Sequence, residues 1–366
     1  MNIFGPLLGR NSQPSIFNAV KNHDQNRLLT DIQNNLNKEM KKLQTGSEES
    51  LKAKMGSVEF ERARYQKFKQ DLLDATDIIQ NTVTRLDGMN SKLTHMLSEI
   101  TKAETSDNDP DVDFQPELYA RSFDAYYKGL KDLAENTRTQ PNLLNSTGVA
   151  LDYPLNHYGG NAKLYGAALT PSYKITDSGG LIWAPDATSN LLRQYDDYPA
   201  STTNKSGSFY DGLHLDSLDS SGNITFTTDI DSVSPESFSG TIQRDGVGLL
   251  NAWAYDNLST DTGRQQATSD IYGAKDIVFV EKNRFQMMLT TLEFYHDSTK
   301  ATLNGLNAEL VEIQSKAAHE LLDKQNEITQ RYQVTQSSIA QSYIMRNQLS
   351  NLLPNSGLAG IFNLLV

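Results

Sequence analysis

Four carboxylates, Asp107, Asp109, Asp111 and Asp113, alternate along Thr105-Ser-Asp-Asn-Asp-Pro-Asp-Val-Asp-Phe-Gln-Pro, and hard oxygen ligands at this spacing are what a calcium loop uses. The helix-loop-helix version of that loop needs glycine at its sixth position and a bidentate glutamate at its twelfth. Here those positions hold Val112 and Leu118, so the segment reads as a solvated acidic linker with, at most, a loose surface calcium site. The six histidines, His23, His95, His157, His214, His296 and His319, form no His-Glu-x-x-His pair and no local zinc motif. His214-Leu-Asp216 pairs an imidazole with a carboxylate, but no Gly-x-Ser-x-Gly elbow supplies a nucleophile. Gly159-Gly160 and Gly179-Gly180 lack the spacing of phosphate-binding loops and read as turns. Asn145, Asn204, Asn223 and Asn257 occupy Asn-x-Ser/Thr sequons, which matter only in a glycosylating host. Trp183 and Trp253 could form a ligand platform, but as the large aromatics of a polar segment they read first as core anchors. These residues predict no enzyme, no cofactor and no firm metal site.

Composition points the same way. The chain has 366 residues, no cysteine, 33 basic against 45 acidic residues and a formal charge of −12. Without thiols there are no disulfides, thiolate metal sites or cysteine nucleophiles. An acidic balance disfavours a nucleic-acid surface, which needs clustered Lys and Arg. No apolar run reaches the ~18 residues of a membrane span. The opening Met1-Asn-Ile-Phe-Gly-Pro-Leu-Leu-Gly-Arg lacks a basic lead and a long apolar stretch, which predicts export without a cleaved Sec signal peptide.

The elements are written in the hydrophobic period. From about Leu28 to Leu133 helix formers dominate, and proline is absent from Ser15 through Asp109. Leu51, Val58, Tyr65, Leu72, Ile79, Leu86, Leu93 and Ile100 hold one heptad position without a miss. Phe68, Ala75, Met89 and Met96 supply the second position, with polar Glu61 and Thr82 as defects. A period of 3.5 kept for some 50 residues predicts a left-handed coiled coil on the order of 75 Å long, where a single amphipathic helix in a bundle would drift to 3.6. A shorter helix is expected at Glu117–Asn136, burying Leu118, Phe123, Tyr126, Leu130 and Leu133. Between about 137 and 275, short alternating runs such as Tyr173-Lys-Ile-Thr, Leu181-Ile-Trp, Ile224-Thr-Phe-Thr and Phe238-Ser-Gly-Thr-Ile are divided by turn dipeptides, which predicts an antiparallel or mixed β domain. Helix returns near 276. There Leu289, Leu292, Leu303, Leu306, Leu310, Ile313 and Ala317 keep heptad spacing despite His296 and Thr299, and Leu321, Ile328, Tyr332, Ile339, Leu349 and Leu353 follow in a frame displaced as by a stutter.

The expected fold is therefore α+β: a long antiparallel coiled-coil stem from the N- and C-terminal segments, with an inserted β-rich domain. Five regions follow: an apolar N-terminal assembly segment (1–27), a helical region (28–136), the β-rich insert (137–275), a second helical region (276–353) and an apolar tail (354–366). Chain ends are normally polar and frayed. These carry Ile3, Phe4, Leu7 and Leu8 at one end and Leu358, Ile361, Phe362, Leu364 and Leu365 at the other, which predicts assembly surfaces.

Leu28-Leu-Thr-Asp-Ile-Gln-Asn-Asn-Leu-Asn-Lys, followed by Leu43-Gln-Thr-Gly, resembles the N-terminal helix of flagellins, with its Asn-Asn-Leu-Asn-Lys-like stretch and later Leu-Ser-Ser-Gly-like turn. The spacing is about a helical turn shorter, and where flagellins continue with Arg-Ile-Asn-Ser-Ala and Asp-Asp-Ala-Ala-Gly-like sequence this chain reads Ser47-Glu-Glu-Ser-Leu-Lys-Ala-Lys. Gln330-Arg-Tyr-Gln-Val-Thr-Gln-Ser-Ser-Ile-Ala-Gln-Ser-Tyr-Ile resembles the closing helix of the filament cap protein. The layout of paired terminal helices around a β-rich middle is also similar to the flagellar axial proteins. That resemblance implies a self-assembling structural subunit of an extracellular helical filament. Its partners would be further copies of itself and other axial or virion structural proteins, with the β domain facing solvent. Two alternatives stay open: a bacteriophage tail, neck or pilot component or secretion-needle tip protein, located in a virion or appendage, and a stalk-displayed adhesin or glycan-binding module.

Overall fold

The computed structural model describes residues 23–135, 141–186, 189–229 and 234–352. It is α+β, with a long N-terminal helix, a long C-terminal helix and a β-rich domain. Helix α1 runs His23–Asp107, the proline-free stretch, and ends just before Pro110 removes a backbone donor. Along it Thr76, Thr82, Thr84, Thr94, Thr101 and Thr105 each donate a hydroxyl to the carbonyl four residues back, so these polar side chains sit in the helix without an unpaired donor. Helix α2, Pro116–Ala134, starts on a proline, whose fixed φ suits a first helical position. Helix α3 occupies Asp261–Leu352.

Among the described residues nine strands lie between α2 and α3. Strands β1 (Ala150–Pro154) and β2 (Asn161–Tyr165) form an antiparallel hairpin. The others are β3 (Ser172–Asp177), β4 (Ile182–Pro185), β5 (Leu191–Asp197), β6 (Ser201–Ser208), β7 (Leu213–Leu218), β8 (Asn223–Thr228) and β9 (Glu236–Asp245), and they form one sheet in the order β6-β5-β4-β3-β9-β8-β7. Every pairing in it is antiparallel. The long β9 is an interior strand, since β3 and β8 both pair with it, Ile175 opposite Ile242 and Phe226 opposite Phe238. Alternation puts Tyr173, Ile175, Trp183, Leu192, Ile224 and Phe226 into the core. Trp183 meets Phe226 edge-on at 5.2 Å and Phe238 at 4.7 Å.

The chain divides into two compact units. One is built from Arg64–Leu303 and holds α2, all nine strands and the flanking parts of α1 and α3. Within it the cross-helix contacts run in opposite order. Lys282 Nζ donates to Asp87, Lys275 Nζ to Thr94 at 3.0 Å, and Arg264 Nη2 to Asp107 at 2.7 Å. The other unit consists of the two ends of the chain, Met1–Ala63 and Asn304–Val366, of which helix is described from 23 and up to 352. Its contacts also run in opposite order: Arg62 to Asn307, Gln314 to Met55 Sδ, Lys54 to Glu320, and Arg331 to Glu39 at 2.7 Å.

Two local expectations need correction. Helix α3 begins at Asp261, inside the stretch expected to belong to the β-rich insert. It starts there because the segment before it is a tight turn. Ala252–Leu258 is 3-10-like, and Asp256, Asn257 and Leu258 all have positive φ. Gly263 lets the helix begin against that turn, since a Cβ there would stand 2.3 Å from the Tyr255 carbonyl oxygen. The buried stripe of α2 is Ala120, Phe123, Tyr127, Leu130 and Ala134, while Leu118 is exposed and Tyr126 and Leu133 are only half-buried. Small alanines admit closer approach than the leucines would.

Candidate functional site

The heptad residues of α1 face inward where their unit has a core. Leu72, Ile79, Leu86 and Leu93 are fully buried, Ile100 and Val58 nearly so, and Leu51 and Tyr65 half-buried. Of the second position, Phe68, Ala75, Met89 and Met96 are buried. Glu61 is half-buried, whereas Thr82 is completely buried. That threonine is a docking point: its hydroxyl donates to Ile78 O at 2.8 Å and accepts from Leu143 N at 3.2 Å. It thus ties the chain after α2 to the middle of α1. On α3, Leu303, Leu306 and Leu310 are buried and Ile313 half-buried. Thr299, expected to interrupt the stripe, is buried with its hydroxyl bonded to Tyr295 O. The apolar residues Ile3, Phe4, Leu7, Leu8, Leu358, Ile361, Phe362, Leu364 and Leu365 lie outside the described residues, as does Leu353.

A polar junction that no local sequence pattern announces fixes α2 to the β domain. Asp124, on the inner face of α2, accepts from Ala252 N at 2.8 Å, Asn251 Nδ2 at 3.1 Å and the Tyr210 hydroxyl at 2.9 Å. Asn251 Oδ1 accepts from the Tyr173 hydroxyl, which accepts in turn from Trp253 Nε1 at 2.8 Å. Burial pushes the Asp124 carboxyl up to about 6, against the opposing pull of its three hydrogen bonds. Burial also raises the hydroxyls of Tyr127, Tyr173 and Tyr210, and those of Tyr173 and Tyr210 stay protonated as donors to Asn251 and Asp124.

Two further carboxylates organise their surroundings. Asp177 accepts from Gly179 N, Leu181 N, Trp183 Nε1 and Gln194 Nε2, closing the β3–β4 turn. Burial alone would raise its pKa, but these donors outweigh it and hold the carboxyl below its usual value. Asp270 accepts from Arg244 at 2.6 Å and the Tyr255 hydroxyl at 2.8 Å, joining β9 and the 252–258 turn to α3. Each is a fastening between elements, with its acceptor capacity spent on the protein itself.

The chemical candidates disperse. Asp107 is engaged by Arg264, Asp109 accepts from Asp111 N, and Asp113 from Gln115. Among the described residues no three His, Asp or Glu side chains come together as a metal site. Of the four carboxylates expected to alternate along a linker, Asp107 instead ends α1 and is held by Arg264. His157 stacks on Tyr65 at 3.9 Å and His95 on Tyr126 at 5.1 Å, so both are packing residues. His214 Nε2 stands 3.9 Å from Asp216, too far for a hydrogen bond, and Asp216 instead accepts from Thr227. A shallow cavity of about 210 Å³ lies beside His214, Leu213, Tyr210 and Asn257. Both tryptophans are fully buried and form no ligand platform. Among the described residues no helix is long and apolar enough to cross a membrane.

No family model matches the chain, and no curated protein matches it. Among solved structures, two crystal forms of Xanthomonas campestris FlgL are similar at 11% and 10% identity, covering 69% and 66% of this chain and 98% of theirs, with TM-scores of 0.37 and 0.34. The flagellar hook associated protein-3 (HAP-3) from Legionella pneumophila is similar at 13% identity over 73% of this chain and 99% of that one, with a TM-score of 0.29. At such scores the likeness carries no residue correspondence.

Proposed function

We propose that the protein is a structural subunit of an extracellular helical filament of flagellar type. In this reading α1 and α3 pair as an antiparallel coiled coil through Leu51, Val58, Tyr65, Leu72, Ile79, Leu86, Leu93 and Ile100 on one side and Leu303, Leu306, Leu310 and Ile313 on the other. The apolar ends, around Ile3, Phe4, Leu7 and Leu8 and around Leu358, Ile361, Phe362, Leu364 and Leu365, hold copies to one another. The β domain faces solvent, where it can vary without disturbing assembly. The absence of thiols prevents cross-linking outside the cell.

The observation that carries the reading is that one unit is made entirely from the two ends of the chain, with its contacts in opposite order along α1 and α3. Its buried positions are few and lie at heptad spacing, with Leu306, Leu310, Ala317 and Leu321 each still showing a trace of solvent exposure. Among the described residues this unit has two helices and no third layer to complete a core, and neighbouring copies are the natural source of one. The rest of the molecule spends its buried carboxylates on internal fastening, as a scaffold does. Deleting residues 1–20 or 355–366 should leave a helical protein that no longer polymerises, as judged by sedimentation and electron microscopy. Polymerisation of both truncated forms would overturn the terminal-packing reading.

A further inference from the structure

Within the unit Arg64–Leu303, helix α3 has two apolar faces. At about 100° per residue, Ala267, Ile271, Ala274, Val278, Phe285 and Leu292 share one side of the helix, and all six are buried in the core. Val280, Met287 and Phe294 fall on the opposite side, with Tyr272 and Phe279 along one edge and Ile277 at the other. These six are 41–73% exposed. A scattered exposed leucine needs no explanation, but six large apolar side chains on one face of 23 residues form a patch, and such patches mark interaction sites. From Tyr272 to Phe294 the charged residues on that side are only Asp276 and Arg284, and Arg284 is already held by Glu281 and by the Tyr165 carbonyl. Depletion of charge around aromatic and methionine side chains is the composition of an interface centre.

We propose that this face of α3 is a contact surface between copies of this chain, packed helix against helix. Three features favour a second copy over another partner. At roughly 100 Å² exposed per large apolar side chain, the patch supplies on the order of 600 Å² per copy, near the ~800 Å² per partner of a stable interface. The chain carries a net charge of −12, so like copies repel over most of their surface and can meet where the charge is depleted. Within the patch Val280, Met287 and Phe294 are also evenly spaced, Val280 seven residues before Met287 and Phe294 seven after. A two-fold axis at Met287 therefore sets Val280 of one copy against Phe294 of the other, as an isologous contact requires. This contact extends the assembly reading above but uses a different surface from the chain ends.

The absence of cysteine gives a clean test in the full-length protein. Met287→Cys, treated with a short bismaleimide, should give a covalent dimer in high yield, while Lys300→Cys, exposed about 140° further round the same helix, should not. Val280→Glu and Phe294→Glu, introduced together, should abolish that dimer and lower the mass found by light scattering, with helicity unchanged. A Met287→Cys protein that stays monomeric overturns the proposal, whether its thiol is freely reactive or is protected by another segment of the same chain. Cross-linking that persists after deletion of residues 1–20 and 355–366 assigns the dimer to this face alone. Loss of polymers on that deletion with the dimer intact, or loss of the dimer with polymers intact, separates the failure of one contact from failure of the other.

Discussion

Asp124→Asn isolates the energetic role of the junction between α2 and the β domain. The carboxyl titrates near 6 in the folded protein, against 3.8 when free. A folded pKa above the unfolded one means that the native state binds more protons between pH ~4 and ~6. Stability from this group is therefore fully present below the unfolded pKa and is lost as pH rises through the folded one. A shift of about two units at ~1.36 kcal/mol each gives a loss of about 3 kcal/mol across that window. Asparagine keeps the shape and an acceptor for Ala252 N but has no charge to bury, so the loss should vanish. Trp183 and Trp253 are both buried in this unit, and Trp253 belongs to the same hydrogen-bonded chain, so tryptophan fluorescence during urea unfolding reports on it directly. Between pH 4 and pH 7.5 the stability difference should move by about 3 kcal/mol in favour of Asp124→Asn. Carboxylates held low, such as Asp177 and Asp219, titrate on the acid side in both proteins and cancel. A difference that is flat with pH would refute the reasoning, because Asp124 would then have no unfavourable buried charge.

Substitutions at three further positions probe the packing of the same unit. Thr82→Val leaves Leu143 N buried without its acceptor and should cost about 1–3 kcal/mol, while Thr82→Ser should recover most of that in the same urea titration. Leu86→Ala removes a fully buried side chain at the centre of the α1 stripe and should cost about 2–5 kcal/mol by calorimetry. Gly263→Ala places a methyl 2.3 Å from a backbone oxygen that cannot move aside cheaply, and should lower the melting temperature by several degrees, seen as a loss of about 2 kcal/mol or more.

Much of the helical architecture is legible because a seam of period 3.5 needs only local information: the positions from Leu51 to Ile100 can be counted along the chain. What local reading misses is where a polar residue is used. Thr82 looks like a flaw in an apolar stripe, yet it receives an amide from 61 residues away. Asp124 is one polar residue in an otherwise amphipathic helix, and its partners lie 86 to 128 residues further on. The start of α3 is masked by composition, since Asp261-Thr-Gly and Thr268-Ser-Asp read as turn while the packing of Gly263 and Arg264 against the preceding turn makes them helix. On α2 the expected leucine stripe is displaced because close packing selects Ala120 and Ala134 over larger neighbours. The second apolar face of α3 escapes a search tuned to one stripe per helix, since its residues fill the gaps between buried positions.

The most direct test of the central account is electron microscopy of the purified full-length protein, concentrated in the absence of denaturant. A self-assembling filament subunit should appear as filaments or closed rings with a regular repeat. Uniform single molecules at all concentrations, with a monomer mass in sedimentation, would contradict it.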